Sequence, residues 1–140
     1  MANYYGFTRT NYFSVTDDEK FRQIIADSYC SSGNIEIFKY NTERSIKYGF
    51  GCYGEICGIR ALQDDDENDY DAFVSSLQSV LADSEAIIIT EVGYENLRYL
   101  IGQSHVITKS NSIFVDLRDR ALAEARVMLN DPKYITKMDY

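Results

Sequence analysis

The chain has 140 residues, of which 45% are hydrophobic and 14% aromatic, and this composition is typical of a folded domain and argues against a disordered chain. A formal net charge of −8 argues against direct binding to nucleic acid or to an anionic membrane, because both require cationic groups facing phosphates. No apolar run approaches the ~20 residues that cross a bilayer, and Met1–Gly6 lacks the pattern of a secretion signal, so we expect a cytoplasmic protein.

The beginning of the chain predicts strands and a helix. Tyr4–Thr10 fits a strand or an ordered arm, and Asn11–Val15 fits a strand more clearly. Thr16 and Glu19 match a capping box, in which both side chains satisfy free backbone amides at a helix start. The predicted apolar face of this helix is Phe21, Ile24, Ile25, Ser28 and Tyr29. We expect Ser31–Asn34 to end it.

A first meander and a second helix follow. Alternating apolar residues predict strands at Ile35–Tyr40, Ser45–Phe50 and Tyr53–Ile59. Gln63–Asp69 is a polar, acidic loop, and Asp69 is placed to cap the second helix. The predicted apolar face of that helix is Tyr70, Phe73, Leu77, Val80 and Leu81.

A second meander begins with the apolar run Ala86–Ile89, whose continuous hydrophobicity predicts a central strand covered on both faces. Val92–Asn96 has the chemistry of a turn, since glycine and asparagine tolerate positive φ. Two strands, a hairpin turn and a last strand are then predicted at Leu97–Ile101, His105–Thr108, Lys109–Ser112 and Ile113–Val115.

A third helix is predicted at residues 117–130. Asp116 is its expected N-cap, and Asn130–Pro132 is expected to end it. Its predicted inner face is Leu117, Ala121, Leu122, Ala125 and Leu129.

The two helix–meander segments, at about 16–60 and 69–115, resemble each other. An offset of 51 positions aligns Ile37 with Ile88 and Tyr48 with Tyr99. A further aligned pair is Gly51 and Gly102. We therefore predict one α+β domain over residues 1–140: a twisted, mostly antiparallel sheet with three helices, built from two related helix–meander halves.

The run Gly49–Gly54 matches the pattern G-x-G-x-x-G of dinucleotide sites. Such a site also requires a helix that opens at the last glycine, whereas Glu55–Ile59 alternates like a strand. We interpret the glycines as bulges or points of close backbone approach. A small-ligand or nucleotide site at Gly49–Gly58 remains the alternative function.

The three cysteines and the single histidine are the residue types that could bind a metal or act in catalysis. Cys30, Cys52 and Cys57 are irregularly spaced, and a C-x4-C pair with one histidine is not a zinc motif, which favours free thiols. His105 is the only candidate for acid–base chemistry near neutral pH, but it lies in a predicted strand without an adjacent nucleophile. We predict a non-catalytic protein without metal or cofactor.

Carboxylates and aromatic side chains surround the predicted turn at Gly93. Glu91, Tyr94 and Glu95 lie there, with Arg98 close by. One interpretation is a salt-bridged hairpin. The other is a binding site for a basic partner or a sugar, because carboxylates and tyrosines can bind either.

Acidic residues are concentrated in one quarter of the chain. Ten acids and no Lys or Arg lie between Ala61 and Leu97. The candidate binding residues among them are Asp64, Asp65, Asp66, Glu67, Asp69 and Asp71. Such a block is either a solvated loop or a surface that imitates phosphates for a partner that normally holds nucleic acid. The many tyrosines suit an interface.

Two segments carry a resemblance to a known group of proteins: Asn11–Asp17 with Phe21 shortly after it, and Glu91–Tyr99. They resemble a family of small acidic proteins carried by bacterial plasmids, conjugative elements and phages. The proteins carried by such mobile elements often include antirestriction and anti-CRISPR inhibitors, and many of these inhibitors are acidic mimics of nucleic acid. The resemblance implies a binding protein in the cytoplasm of a bacterial host.

These observations lead to one functional hypothesis. We expect a non-catalytic acidic protein that inhibits a nucleic-acid-processing defence complex by presenting acidic surface. Its expected partner is a nucleic-acid-binding defence protein, with no direct contact to nucleic acid or membrane. A homodimer is compatible with this hypothesis.

Overall fold

The computed structural model describes residues 4–60, 69–95 and 99–136, and these form an α+β fold. In this part of the chain six strands make one antiparallel sheet, two further strands pair separately, and three helices accompany them, which confirms the predicted fold class. The elements are β1 (Tyr4–Thr10), α1 (Asp18–Ala26), β2 (Ser28–Cys30), β3 (Glu36–Asn41), β4 (Ile46–Tyr53), β5 (Ile56–Ile59), α2 (Asp69–Val80), β6 (Ile87–Glu95), β7 (Tyr99–Ile107), β8 (Ser112–Asp116) and α3 (Leu117–Leu129). None of the helices in the described ranges is long and apolar enough to cross a membrane.

The first strand lies in the middle of the sheet, whose order is β3-β4-β1-β6-β7-β8. Phe7 pairs with Tyr53 of β4 on one side and with Val92 of β6 on the other. The segment predicted as a strand or an ordered arm is therefore a central strand. It joins the two hairpins, β3–β4 and β6–β7, into one sheet.

The segment after β1 connects the sheet to the first helix. The prediction of a strand at Asn11–Val15 was wrong, since the β-pairing of this segment is limited to single bridges, from Phe13 to Tyr48 and from Val15 to Leu81. The chain must leave the plane of the sheet here in order to start α1 on its face.

The core lies between the sheet and the two helices α1 and α2, which pack beside each other on one face. The rings of Phe13 and Phe21 meet edge to face at 5.6 Å, and those of Phe50 and Phe73 do so at 5.9 Å. All four side chains are fully buried. Truncating any of them to alanine is expected to cost about 3–5 kcal/mol.

The opposite face of the sheet is largely open in the described residues. In β6 the side chains of Ile87 and Ile89 are buried under the helices, whereas Ile88 is 38% exposed. The expectation that Ala86–Ile89 is covered on both faces was therefore wrong. Successive side chains of a strand point to opposite faces, and α1 and α2 cover only one of them.

The start of the first helix differs from the predicted capping box. Asp17 is the N-cap, and its carboxylate accepts the amide N–H of Lys20 at 3.0 Å. The hydroxyl of Thr16 instead donates to the carbonyl of Val80 at 3.2 Å, which ties α1 to the end of α2. The helix ends at Ala26, before the predicted Ser31–Asn34.

A small two-stranded sheet replaces two predicted features. Ser28 and Tyr29 belong to β2 and not to the helix, and β2 pairs with β5. The third strand of the first meander therefore leaves the main sheet. It packs beside α2 on the helix-bearing side.

The second hairpin has longer strands than predicted. No turn occurs at Val92–Glu95, because β6 continues to Glu95. Leu100, Ile101 and His105 likewise belong to one strand, β7, instead of two. Thr108 and Asn111 form the predicted turn to β8 through the bond from the Thr108 N–H to the Asn111 carbonyl.

The predicted internal duplication holds for the order of elements and not for their register. A helix followed by an antiparallel pair occurs as α1, β3, β4 and as α2, β6, β7. Ile37 pairs with Phe50, so the offset of 51 would pair Ile88 with Ile101, yet Ile88 pairs with Val106. The difference, 106 − 101 = 5 residues, is odd. Ile37 therefore packs against the core while Ile88 faces the open side.

The third helix is capped as predicted but packs differently. The carboxylate of Asp116 accepts the amides of Arg118 and Asp119 at 2.9 and 3.2 Å. None of its side chains is buried, so the predicted inner face does not enter the core. The helix follows β8 without a linker, and Leu117 lies against Gly102 on the open side of the sheet, away from α1 and α2.

Candidate functional site

The structure separates the predicted site residues. Four of them, Asp64, Asp65, Asp66 and Glu67, lie outside the described residues. Asp69 and Asp71 lie in the first turn of α2, so Asp69 is the first helical residue and not the residue before it. Glu91 and Glu95 are on the helix-bearing face of β6, whereas Tyr94 faces the open side. Strand alternation thus keeps Tyr94 apart from the two carboxylates.

A polar hollow lies on the helix-bearing face, at the end of the sheet that α1 and α2 leave uncovered. Its inner part is about 210 Å³ and its wider mouth about 730 Å³, and Glu55 and Glu91 line both. The inner walls include Tyr70, Gln103, His105 and Phe114, and the mouth includes Tyr4, Tyr5, Tyr53 and Glu95. We call this hollow the acidic cleft.

Glu91 is the carboxylate at the base of the acidic cleft. Its side chain is only 8% exposed. The hydroxyl of Tyr4 donates to Oε2 at 2.8 Å, and Nε2 of Gln103 donates to Oε1 at 3.1 Å. Each carboxylate oxygen has two lone pairs, so these two bonds leave acceptor capacity on both oxygens.

The sole histidine forms the neighbouring wall. His105 is buried in β7, and its ring stacks on that of Phe114 at 3.9 Å. The hydroxyl of Tyr70 lies 2.6 Å from Nδ1. Burial lowers the pKa of His105, which favours the neutral ring. The tautomer of the neutral ring sets the direction of this bond: the Tyr70 hydroxyl donates to Nδ1 when the ring proton is on Nε2, and accepts from Nδ1–H when it is on Nδ1.

Acidic side chains change the pKa values of two residues in the cleft, Tyr70 and His105. Burial and, to a smaller extent, the charges of Glu91 and Asp71 together raise the pKa of Tyr70 to about 12. The same Asp71 opposes the effect of burial by raising the pKa of His105. Asp69 accepts the hydroxyl of Tyr29 at 3.3 Å, on the β2 side of α2. Asp71 therefore lies near the inner wall of the cleft, whereas the contact of Asp69 is with β2.

Ion pairs distinguish the acids that line the cleft from two acids at the other end of the sheet. At the opposite end of the sheet, Glu85 pairs with Lys47 at 3.2 Å and Asp83 with Lys109 at 3.5 Å. In the described part of the chain, the acids lining the cleft have no Lys or Arg within 4.0 Å. These are Glu55, Glu91 and Glu95. Three carboxylates without a cationic neighbour among the described residues thus line one hollow.

The glycine-rich run does not build a phosphate site of the dinucleotide type. Gly49 and Gly51 lie inside β4, and Gly54 is in the turn to β5 with φ 82°. The N–H of Gly54 donates to the carbonyl of Gly6 at 2.8 Å, so it does not point at a ligand phosphate. The chain continues from Gly54 as a strand, so the helix that would hold a phosphate at this position is missing from the described residues.

The cysteines are free, and the described residues contain no cluster of three His, Cys, Asp or Glu side chains fit for a metal. Burial and the neighbouring Cys30 raise the pKa of Cys52 to about 12, which keeps this thiol protonated. Burial also raises the pKa of Cys57. These two thiols are therefore poor nucleophiles.

Sequence reasoning missed the residues that hold Glu91 in place. Tyr4 is 87 positions away from it and Gln103 belongs to the next strand. The one residue whose type could have indicated this contact is Gly93. Its Cα lies so close to the ring of Tyr4 that a Cβ at this position would collide with the ring. A glycine within a strand indicates such close approach, whereas the neighbouring residues Val92–Asn96 have the composition of a turn.

Neither a protein-family model, nor a curated protein, nor a solved structure matches the chain. The function is therefore argued from the acidic cleft itself.

Proposed function

We propose that this protein binds, without catalysis, basic side chains of a protein partner in the acidic cleft. The observation that carries the proposal is the carboxylate of Glu91, which is buried at the base of the cleft and has no cationic partner among the described residues. A buried charge is costly unless a counter-charge meets it. An arginine or lysine of a partner supplies that counter-charge.

The shape and chemistry of the cleft favour a guanidinium group. Both oxygens of Glu91 retain acceptor capacity, and arginine presents paired N–H groups that match a carboxylate. Tyr4, Tyr5 and Tyr53 line the mouth, and tyrosine rings attract cations through their faces. Glu55 and Glu95 add charge at the rim, which steers a basic partner toward the cleft.

The partner we propose is a nucleic-acid-processing defence complex of a bacterial host, of the kind that anti-CRISPR or antirestriction proteins inhibit. Such a complex holds phosphates with lysine and arginine. Asp71 lies near Tyr70 and His105 of the cleft, and Asp69 and Asp71 continue the acid-rich stretch, so carboxylates are available in place of phosphates. The resemblance to small acidic proteins of mobile elements supports this choice of partner.

The first experiment measures binding of an arginine-rich peptide by calorimetry at low salt. Wild-type protein is expected to bind it, and the double variant Glu91→Gln/Glu95→Gln to lose about 2 kcal/mol or more. The matched control is Glu43→Gln/Asp83→Asn, which removes two charges at the other end of the sheet. If both double variants weaken peptide binding equally, the loss comes from the change in net charge alone. That result would contradict a site at Glu91.

The second experiment addresses the partner. The tagged protein is used to capture partners from a bacterial lysate at low and high salt, and the captured protein is then tested for nucleic-acid binding. Our proposal requires that binding of this protein and of nucleic acid to the partner exclude each other. A partner that binds both at once would overturn inhibition by phosphate imitation.

One observation favours the alternative small-ligand function. A hollow of about 330 Å³ lies beside Gly51, between Tyr53 and the stacked pair of Arg9 and Phe38, whose guanidinium lies 4.1 Å from the ring centroid. Arg9 offers a cation for an anionic ligand such as a nucleotide. Nucleotides that raise the melting temperature of wild type but not of Arg9→Gln would support this function.

A further inference from the structure

We propose that Cys30 and Cys52 form a reversible dithiol–disulfide site that hydrogen peroxide oxidises. Cys30 is the residue that reacts with the peroxide, and Cys52 is the residue that completes the disulfide. This property goes beyond the binding of a basic partner and does not depend on it. The fold places the two thiols together and surrounds that of Cys30 with hydrogen-bonding groups.

The fold brings Cys30 and Cys52 together from two different sheets. Cys52 lies in β4 two positions after the buried Phe50, so both side chains point to the helix-bearing face, where Cys52 packs against the core. Cys30 ends β2, which lies on the same side of the main sheet, and it is only 4% exposed. The hydroxyl of Ser32 donates to the carbonyl of Tyr53 at 2.5 Å and thereby holds the end of β2 against β4. As a result, the thiols of the two cysteines are hydrogen-bond neighbours.

A tight turn folds around the sulfur of Cys30. The N–H of Gly33 donates to the carbonyl of Cys30 at 3.2 Å, and the N–H of Cys30 donates to the carbonyl of Gly33 at 3.1 Å. The turn depends on the φ of 129° at Gly33, which residues with a side chain rarely adopt. It places the hydroxyl of Ser32 3.4 Å from Sγ of Cys30, a distance at which a hydroxyl donates to a thiolate.

The three cysteines differ in how readily they lose their protons. Burial raises the pKa of Cys30, but hydrogen bonds from the side chain of Ser32 and from the backbone of Ser32 and Gly33 outweigh burial and lower this pKa. Burial raises the pKa of Cys52 to about 12, with a contribution from Cys30, and it also raises the pKa of Cys57. Because the thiolate is the nucleophilic form of cysteine, Cys30 is the residue that attacks an oxidant.

A small oxidant reaches Cys30 from the hollow beside Gly51. Ser32, Asn34 and Cys52 line this hollow, whose volume is about 330 Å³. The sulfur of Cys30 lies directly behind two of these residues, 3.4 Å from the hydroxyl of Ser32 and 3.7 Å from the carbonyl of Asn34. This position suits hydrogen peroxide, which has only two heavy atoms, and shields the sulfur from larger thiol reagents.

The oxidation proceeds in two steps. The thiolate of Cys30 attacks one oxygen of hydrogen peroxide, the O–O bond breaks, and the resulting hydroxide takes up a proton and leaves as water. The sulfenic acid formed is uncharged, so the charge of Cys30 no longer raises the pKa of Cys52. The sulfur of Cys52 then attacks that of Cys30, the S–O bond breaks, and the hydroxide leaves as water with the proton of Cys52. Two thiols are thus oxidised to one disulfide, and one peroxide is reduced to two waters.

The experiment treats the reduced full-length chain with an equimolar amount of hydrogen peroxide, alkylates the remaining thiols in denaturant and maps the peptides by mass spectrometry. Trypsin leaves Cys52 and Cys57 in one peptide, and a second cleavage after Glu55 separates them. We expect a bond between Cys30 and Cys52 within one chain, an alkylated Cys57, and recovery of all thiols with dithiothreitol. If Cys30 and Cys52 stay free under excess peroxide, or if Cys57 is joined instead, the proposal is overturned.

Three variants test the role of each cysteine, and circular dichroism checks that each variant is folded. Cys52→Ser should stop at the sulfenic acid, which dimedone labels at Cys30. Cys30→Ser should consume peroxide at least ~10-fold more slowly than wild type. Cys57→Ser is the matched control and should form the disulfide as wild type does. Dimedone on Cys52 in wild type, or loss of the disulfide in folded Cys57→Ser, would contradict these roles. The peptide map of wild type tests the pairing even where a variant does not fold.

Discussion

The hydroxyl of Tyr4 lies 2.8 Å from Oε2 of Glu91, 87 positions further along the chain. The tyrosine ring reaches across the sheet over Gly6 and Gly93, where any Cβ would collide with it. The two glycines, in adjacent strands, thus leave room for the ring of Tyr4, whose hydroxyl bonds to the carboxylate of Glu91 in the acidic cleft.

Tyr4→Phe is expected to destabilise the protein by about 1–3 kcal/mol, because the buried carboxylate of Glu91 loses a hydrogen-bond donor. Urea unfolding measures the change. Tyr5→Phe is the matched control, since Tyr5 is an exposed tyrosine that faces the other side of the strand. Similar losses of unfolding free energy in both variants would show that the bond to Glu91 does not stabilise the protein.

Gly93→Ala should displace the ring of Tyr4 and thereby loosen Glu91. The cost is expected to be smaller when Tyr4→Ala is already present, because the collision has been removed. A double-mutant cycle should give a coupling of about 0.5–3 kcal/mol. Additive effects would contradict the contact between this glycine and the ring.

The NMR signal of His105 is unambiguous because the chain has one histidine. Its pKa is expected below 6.5, since burial disfavours the charged ring. As the pH falls, the unfolded chain therefore takes up this proton first, so stability is full above pH ~6.5 and decreases from there toward the folded pKa. Asp71→Asn should lower the pKa further, whereas Asp119→Asn, on α3, should leave it unchanged. A rise in Asp71→Asn would contradict the structure.

His105→Ala distinguishes a binding protein from an enzyme. We expect a loss of about 1–3 kcal/mol of stability, because the hydrogen bond between Tyr70 and the histidine ring and the stacking of that ring on Phe114 are both removed. Partner binding and inhibition should persist. If inhibition disappears while the fold and the affinity remain, His105 acts as a catalytic acid or base.

The acid-rich block remains a prediction at the positions outside the described residues. The substitutions replace each acid with its amide at Asp64, Asp65, Asp66, Glu67, Asp69 and Asp71. Partner binding should weaken and lose most of its salt dependence, because charge attraction is screened beyond ~8 Å at physiological ionic strength. Unchanged affinity would identify the block as a solvated loop.

Local patterns predicted the parts of this protein that depend on neighbours in the chain. The apolar spacing correctly placed Phe21 and Phe73 in buried helix faces, and Asp116 was correctly predicted as an N-cap. The capping box failed because Asp17 competed successfully with Thr16, whose hydroxyl bonds to another helix. A hydrogen bond to a residue 64 positions away leaves no local signal.

The order of helix and strand patterns along the chain predicted the fold class, and helix periodicity and local charge predicted the inward faces of α1 and α2 and the concentration of acids, because these patterns arise from residues close together in the chain. Only the tertiary structure decided that β1 is central, that Tyr4 meets Glu91 and that Ile88 lies on an open face. Strand neighbours and register depend on hydrogen bonds between distant segments, and a shift by an odd number of residues turns every side chain of a strand to the other face.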